Sequence, residues 1–275
     1  MIPYRIDDRR PPGDRPAILV VVPYYNAAAW IDACLTRLGE NDEPHDILVI
    51  DDGSEVPLTL PQEANNIVLC RFERNAGLIT ALNLAASFAL AQGYSYYVRQ
   101  DADDLSRPDR LRLQREAIER EQADLVVAGV RAVDEVGAPI WSGRMSMDMP
   151  AFRKVLAGRN PVVHSTWFVR TALFASIGCY DERFRGAEDF ELLQRIARHG
   201  RITIVPDELV DYLVRSGSVL SVSREPAVQT LRIVARYFDP ARPAAYAGIV
   251  RAAAAVAVSR RWKVAARRLL TRVKA

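Results

Sequence analysis

Three acidic stretches in this 275-residue chain carry the residue types of a working site: Asp51-Asp52, Asp101-Ala102-Asp103-Asp104 and Glu188-Asp189. The middle stretch is the densest. If it is locally extended, Asp101 and Asp103 point the same way, because side chains alternate along a strand. Two such carboxylates repel each other unless something cationic lies between them. A hard divalent ion, held by one or two carboxylates and completed by substrate phosphates, meets that demand. The same residues also fit an acidic surface turn in which Asp104 caps the next helix. Each stretch follows a strand or a break in pattern, so together they suggest a site at one edge of a sheet.

The hydrophobic pattern supplies the elements that must position these carboxylates. Ala17 to Val22 reads as a strand covered on both faces, ended by Pro23-Tyr24-Tyr25-Asn26, with Asn26 as N-cap of a helix from Ala27 to Leu38. Asp46 to Asp51 and Asn66 to Arg71 repeat the strand pattern. Asp51-Asp52-Gly53-Ser54 is a turn by composition. Asn75-Ala76-Gly77 opens a long helix with Leu78, Leu82 and Ala85 on one face. Tyr94 to Val98 is a strand leading into the acidic turn and then into a Pro-led helix from Pro108 to Gln122. Leu125 to Arg131 is a further strand. Four strand–helix alternations predict an α/β class with a mostly parallel, Rossmann-like sheet and helices on both faces.

The second half is less regular. It predicts a helix from Asp148 to Leu156, a strand from Val162 to Val169 carrying His164, and a helix from Thr171 to Ile177. A helix from Gly186-Ala187-Glu188-Asp189 to about His199 has acids in its first turn, where they complement the helix dipole. Strands from Arg201 to Val205 and from Leu209 to Val214 precede helices from Glu225 to Phe238, Arg242 to Ser259 and Arg260 to Val273.

Composition removes several function classes. Cys34, Cys70 and Cys179 are widely spaced and form no Cys-x-x-Cys pair, so neither a zinc site nor a disulfide framework is implied. No Gly-x-Gly-x-x-Gly and no Walker-type loop occur, which argues against a dinucleotide oxidoreductase and a P-loop ATPase. Met1 to Pro16 lacks the apolar run of a signal peptide. The net charge of +3 is unevenly spread: from Arg224 onward, twelve Lys and Arg face two acids. Such a segment suggests an anionic partner surface.

Pro23-Tyr24-Tyr25-Asn26, Val49-Ile50-Asp51-Asp52-Gly53-Ser54, Asn75-Ala76-Gly77-Leu78, Asp101-Ala102-Asp103-Asp104 and Gly186-Ala187-Glu188-Asp189 occur in an order and spacing that resemble the family 2 glycosyltransferases of the GT-A fold. The resemblance covers roughly Ala17 to Ser223. It implies an N-terminal extension over 1–16, a glycosyltransferase domain over 17–223 and a basic helical segment over 224–275. Asn160-Pro161, His164-Ser165 and the segment from Val210 to Ser223 resemble the subset that builds bacterial surface polysaccharides.

What the family implies can be placed residue by residue. Pro23 and Tyr25 match positions that hold the base and ribose of a nucleotide, Asp52 the acid that accepts from the base edge, and Asn75 and Gly77 a loop beside the nucleotide. Asp103 matches a direct ligand of Mg²⁺ or Mn²⁺. Asp101 matches a contact to ribose or to the ion. Asp189 matches the base that deprotonates an acceptor hydroxyl in an inverting displacement, with Glu188 orienting the acceptor or supporting the loop. His164 suits an acceptor or phosphate contact equally with a satisfied core histidine. The implied partners are a nucleotide-diphospho sugar and a glycan or lipid-linked acceptor, with no nucleic acid. Arg260 to Val273 reads as an amphipathic basic helix, suited to peripheral docking on the inner leaflet of the membrane from the cytoplasm, to packing on its own protein, or to a second copy in a homo-oligomer. A nucleotidyltransferase or a non-catalytic nucleotide-binding protein on a similar sheet are the rival readings.

Overall fold

The computed structural model describes residues 3–60, 65–215 and 225–257. Along the chain run β1 (Tyr4–Asp8), β2 (Ile18–Tyr24), α1 (Ile31–Gly39), β3 (His45–Asp51), β4 (Ile67–Phe72), α2 (Leu78–Ala91), β5 (Tyr96–Arg99), β6 (Leu105–Ser106), α3 (Arg110–Arg120), β7 (Leu125–Val133), β8 (Pro139–Gly143), α4 (Met149–Leu156), β9 (Phe168–Arg170), α5 (Ala172–Ile177), α6 (Glu188–His199), β10 (Ile202–Leu213), α7 (Glu225–Arg236) and α8 (Pro243–Ala257). One 10-stranded sheet has the order β1-β4-β3-β2-β5-β9-β7-β10-β6, with β8 paired to β7. β4, β3, β2 and β5 are parallel neighbours, and β7 and β10 are parallel to each other. β9 runs antiparallel between β5 and β7, which leaves those two strands pointing the same way.

Alternation within the buried strands builds two cores. In β2, Leu19 and Val21 face one side with α2 and α6, while Ile18, Val20 and Val22 face the other with α1 and α3. This is why β2, and residues 47–50 of β3, are apolar on both faces rather than alternating. The C-terminal helices close on the first of these cores through Ile233, Val234 and Ala252. α8 approaches so closely that a Cβ on Gly248 would lie 2.2 Å from the Ala157 carbonyl oxygen.

The structure departs from the sequence reading at several elements. Residues 162–169 do not form one strand: His164–Thr166 is a 3₁₀ turn, and only Phe168–Arg170 joins the sheet. The two strands expected over 201–214 are one strand, β10, whose pairing with β7 shifts register between Val205 and Val210. Leu78 is exposed, whereas Leu82 and Ala85 are buried. Asn26 does not cap α1. It adopts φ 50°, its amide donates to Ser54 Oγ at 3.0 Å and its Oδ1 accepts from the Glu55 amide, so it clamps the turn after β3. Tyr4–Asp8 pairs with β4 at the sheet edge. The basic helix expected from Arg260 to Val273 lies outside the described residues, and among the described residues no helix is long and apolar enough to cross a membrane.

Candidate active site

Because β3, β2 and β5 are parallel neighbours, their C-terminal ends meet on one edge. That edge carries Pro23 to Asn26, Asp51 to Ser54, and Gln100 to Asp104. Ligands of open α/β sheets bind there. Tyr25 is 49% exposed, so its ring is free of the core.

Asp51 and Asp52 separate in role. Asp51 is buried and tied to Arg71 and the Ser54 amide. Asp52, 4% exposed, accepts the Ala76 amide at 2.6 Å and the Gly77 amide at 2.9 Å. It thereby holds the loop that opens α2, and Asn75 stays exposed beside it. Burial pushes the Asp52 carboxyl above its usual range, against the pull of those two amides. The fit is close enough that Gly53, at φ +71°, has no room for a side chain: a Cβ would lie 2.3 Å from the Arg74 carbonyl carbon. Gly77 faces Arg185, whose Nη2 is 3.9 Å from where a Cβ would be. Arg185 belongs to the loop leading into α6, so the Asp52 loop and the Asp189 loop share a wall.

The acidic turn is organised by arginines. Asp101 Oδ1 accepts from Arg99 Nη2 at 2.5 Å, and Asp103 Oδ2 lies 2.9 Å from Arg215 Nη2. Asp104 does not cap α3, as the sequence suggested. It is buried, and accepts from Ser165 Oγ at 2.5 Å and from the Leu213 amide at 3.0 Å. The turn is thus fastened to the end of β10 rather than to the next helix. Burial raises the Asp104 carboxyl well above the normal range, and the Asp101 charge adds to it.

Asp189 lies in the first turn of α6, half-buried. Asn160 Nδ2 donates to its Oδ2 at 2.7 Å, and the Phe190 amide donates to Oδ1 at 2.7 Å. Burial, then the Glu188 charge, push its pKa to about 7 against those donors, with Asp101 contributing in the same direction. The influence of Asp101 places the two carboxylates in one electrostatic neighbourhood. Glu188 Oε2 accepts the Gly186 amide at 2.7 Å and closes the loop on itself. Residues i and i+1 of a helix do not share a face.

His164 is half-buried. It packs edge-on against Trp167, and its Nε2 is 2.9 Å from the Tyr180 hydroxyl. Burial, then the Arg99 charge, hold its pKa well below 6.5, so the ring is neutral at pH 7. Tyr180 in turn feels both Arg99 and Asp189. Arg99, Arg185, Tyr180 and Arg215 carry no sequence signal that would have singled them out. Asn160 was visible only through its resemblance to a subset pattern.

Asp101 and Asp103 offer the hard oxygen ligands that Mg²⁺ or Mn²⁺ takes, and their side chains remain 36% and 22% exposed. Burial and then the Asp101 charge raise the Asp103 carboxyl, against the pull of Arg215 and Arg99. Among the described residues no group of three or more His, Cys, Asp and Glu could enclose an ion. The donor set therefore fits an ion that substrate phosphates complete, and each carboxylate has a guanidinium beside it. A cavity of about 400 Å³ lies elsewhere, behind α6, lined by Arg153, Gln194, Arg198, Tyr237 and Arg242 among others.

The family model described as glycosyl transferase family 2 matches residues 19–177, more than half of the chain. The chain belongs to glycosyl transferase family 2. An uncharacterised glycosyltransferase of Haemophilus influenzae is 22% identical over 239 residues, covering 80% of this chain and 72% of that protein. Among solved structures, TarS 1-349 of S. aureus in complex with UDP-GlcNAc superposes with TM-score 0.62 at 21% identity, covering 80% of this glycosyltransferase and 66% of the TarS chain. The glycosyltransferase thus spans just under two thirds of that solved chain. The mannosyltransferase PcManGT of Pyrobaculum calidifontis, in complex with GDP-Man and Mn²⁺, gives TM-score 0.55 at 20% identity, covering 94% and 74%. These structural likenesses establish the GT-A type of fold.

Proposed function

We propose that this glycosyltransferase moves a sugar from a nucleotide-diphospho donor to a hydroxyl acceptor by a single inverting displacement, with Asp189 as base. The observation that carries the reading is the setting of Asp189: its carboxyl accepts from Asn160 and from the Phe190 amide at the start of α6, where burial and the Glu188 charge push its pKa to about 7. A hydroxyl is a poor nucleophile until its proton is taken, and a base works best with a pKa near the operating pH. Each Asp189 oxygen accepts one hydrogen bond and keeps a second lone pair, so the carboxylate can take the acceptor's proton as its oxygen attacks the anomeric carbon. The diphosphate leaves from the opposite face. The oxocarbenium character of such a transition state follows by analogy with glycoside hydrolysis.

The nucleotide is assigned to the edge formed by Pro23, Tyr25, Asp52, Asn75 and Gly77. Tyr25 has a free aromatic face for a base. Asp52 builds the loop through two amides and retains lone pairs toward a base edge. Mg²⁺ or Mn²⁺, held by Asp103 and Asp101, would neutralise the charge that develops on the diphosphate. The complexes of TarS with UDP-GlcNAc and of PcManGT with GDP-Man and Mn²⁺ support this assignment of donor and ion. Glu188 supports the loop. His164, neutral and bound to Tyr180, is assigned a supporting role beside Trp167 rather than a contact to substrate. A role in bacterial surface polysaccharide or glycoconjugate synthesis, on a glycan or lipid-linked acceptor, is proposed from the pattern of Asn160-Pro161 and His164-Ser165.

The test is Asp189→Asn. Transfer falls by at least about 10³-fold, the scale of removing an essential base together with its charge. Donor affinity by calorimetry stays within about threefold of wild type, since the base does not hold the donor. Transfer at wild-type rate would remove Asp189 from the mechanism.

A further inference from the structure

The carboxylate assigned to the metal already has a cation on it. Arg215 Nη2 is 2.9 Å from Asp103 Oδ2, and the same guanidinium lies 4.7 Å above the centre of the Trp30 ring. Three features make this contact a built one. Trp30 sits at the entry to α1, immediately beyond the edge that carries Tyr25 and Asn26. Arg215 is two residues past the end of β10, and the Leu213 amide is pinned by Asp104 Oδ1 at 3.0 Å, so the residue next to Asp103 in sequence fixes the strand end from which Arg215 reaches back. The planar guanidinium pairs with a carboxylate at its edge and stacks on an indole by its face, two interactions that a lysine ammonium does not combine.

A divalent ion and a guanidinium on one carboxylate repel each other, and that repulsion is not screened at contact distance. We propose that Arg215 is the resident counter-cation of Asp103, that a divalent ion must displace it to bind, and that it thereby keeps the donor-free enzyme's affinity for the ion low. Ion binding is then favoured mainly when a donor diphosphate supplies the further ligands and the further negative charge. Arg99 stands in a similar relation to Asp101 at 2.5 Å, but its side chain is 1% exposed at the end of β5, whereas the Arg215 side chain is 39% exposed and has solvent to move into. The inference rests on the assignment of Asp103 to the metal.

The experiment reads Mn²⁺ binding to the donor-free protein from the free-ion electron paramagnetic resonance signal. Wild type is compared with Arg215→Gln, Arg215→Lys, Asp103→Asn and the Arg215→Gln/Asp103→Asn double variant. Arg215→Gln is expected to bind Mn²⁺ about tenfold more tightly than wild type, the order expected for removing one unit charge at contact with the site. The double variant is expected to lose that gain. Arg215→Lys, which keeps the charge and loses the planar fork, is expected between wild type and Arg215→Gln. If Arg215→Gln is no tighter than wild type while Asp103→Asn weakens binding, the counter-cation role is overturned and the metal role of Asp103 stands. If Asp103→Asn changes nothing in either background, the metal assignment fails, and this inference with it.

Discussion

Replacing Asn160 with Ala removes the N–H that reaches Asp189 Oδ2 at 2.7 Å. That donor is among the groups that hold the Asp189 pKa down to about 7 against burial and Glu188. A hydrogen bond to a charged group contributes about 1.5–3 kcal/mol, part of which water or a rotated neighbour restores, so a rise of about one pKa unit follows at 1.36 kcal/mol per unit. In wild type about half of Asp189 is ionised at pH 7, and in Asn160→Ala about a tenth. Activity at pH 7 then falls about fivefold, the loss grows to about tenfold near pH 6, and it closes above about pH 9. The assay is kcat/KM against pH, which reports groups of the free enzyme. Glu188→Gln removes a raising charge and should move the acidic limb the other way. A loss of equal size at every pH would show that Asn160 only positions the loop, and an acidic limb below about pH 5 in wild type would refute the elevated pKa itself.

The same carboxyl sets a stability prediction. Its folded pKa of about 7 lies above the ordinary 3.8, so the folded state holds the proton more tightly than the unfolded chain does. The stabilisation is complete below about pH 4 and is lost as the pH rises through about 7. Asp189→Asn should therefore raise the melting temperature relative to wild type at pH 8 and leave it close to wild type at pH 4. An equal shift at both pH values would contradict the linkage. Asp52→Ala strands the Ala76 and Gly77 amides and should cost about 2–4 kcal/mol in urea unfolding, together with weaker nucleotide binding. A cost under about 0.5 kcal/mol would show that the loop is held by something else.

The strands most readable in the sequence were those buried on both faces. β2, β3 and β4 each carry an apolar stretch of four or five residues flanked by polar or turn residues, and composition alone marks them. The ends of those strands therefore placed the acidic turns on one edge. Reading failed where tertiary partners override local preference. Asn26 and Asp104 both have the side chain of a helix cap, yet one clamps Ser54 and Glu55 and the other is drawn inside by Ser165 and Leu213. Residues 162–169 have β-branched and aromatic composition, but His164 is needed against Trp167 and Tyr180, and the chain bends through a 3₁₀ turn to put it there. β10 looked like two strands because Pro206-Asp207 interrupts the apolar pattern, and the sheet absorbs the interruption as a register shift. In the candidate site the acids were legible because carboxylates clustered after strands are unusual. Their partners were not. Arg99, Arg185 and Arg215 are three among many arginines, and only the fold brings them to Asp101, Gly77 and Asp103.

The proposed chemistry is a single displacement with one carboxylate opposite the leaving diphosphate. Its most direct test is the configuration of the sugar in the product, read from the anomeric coupling constant in the proton spectrum of the first-formed glycoside. A donor linked axially should give an equatorial linkage, and the reverse for an equatorial donor. Retention of the donor's configuration would require a second nucleophile or a different approach to the anomeric carbon, and would contradict the role given to Asp189.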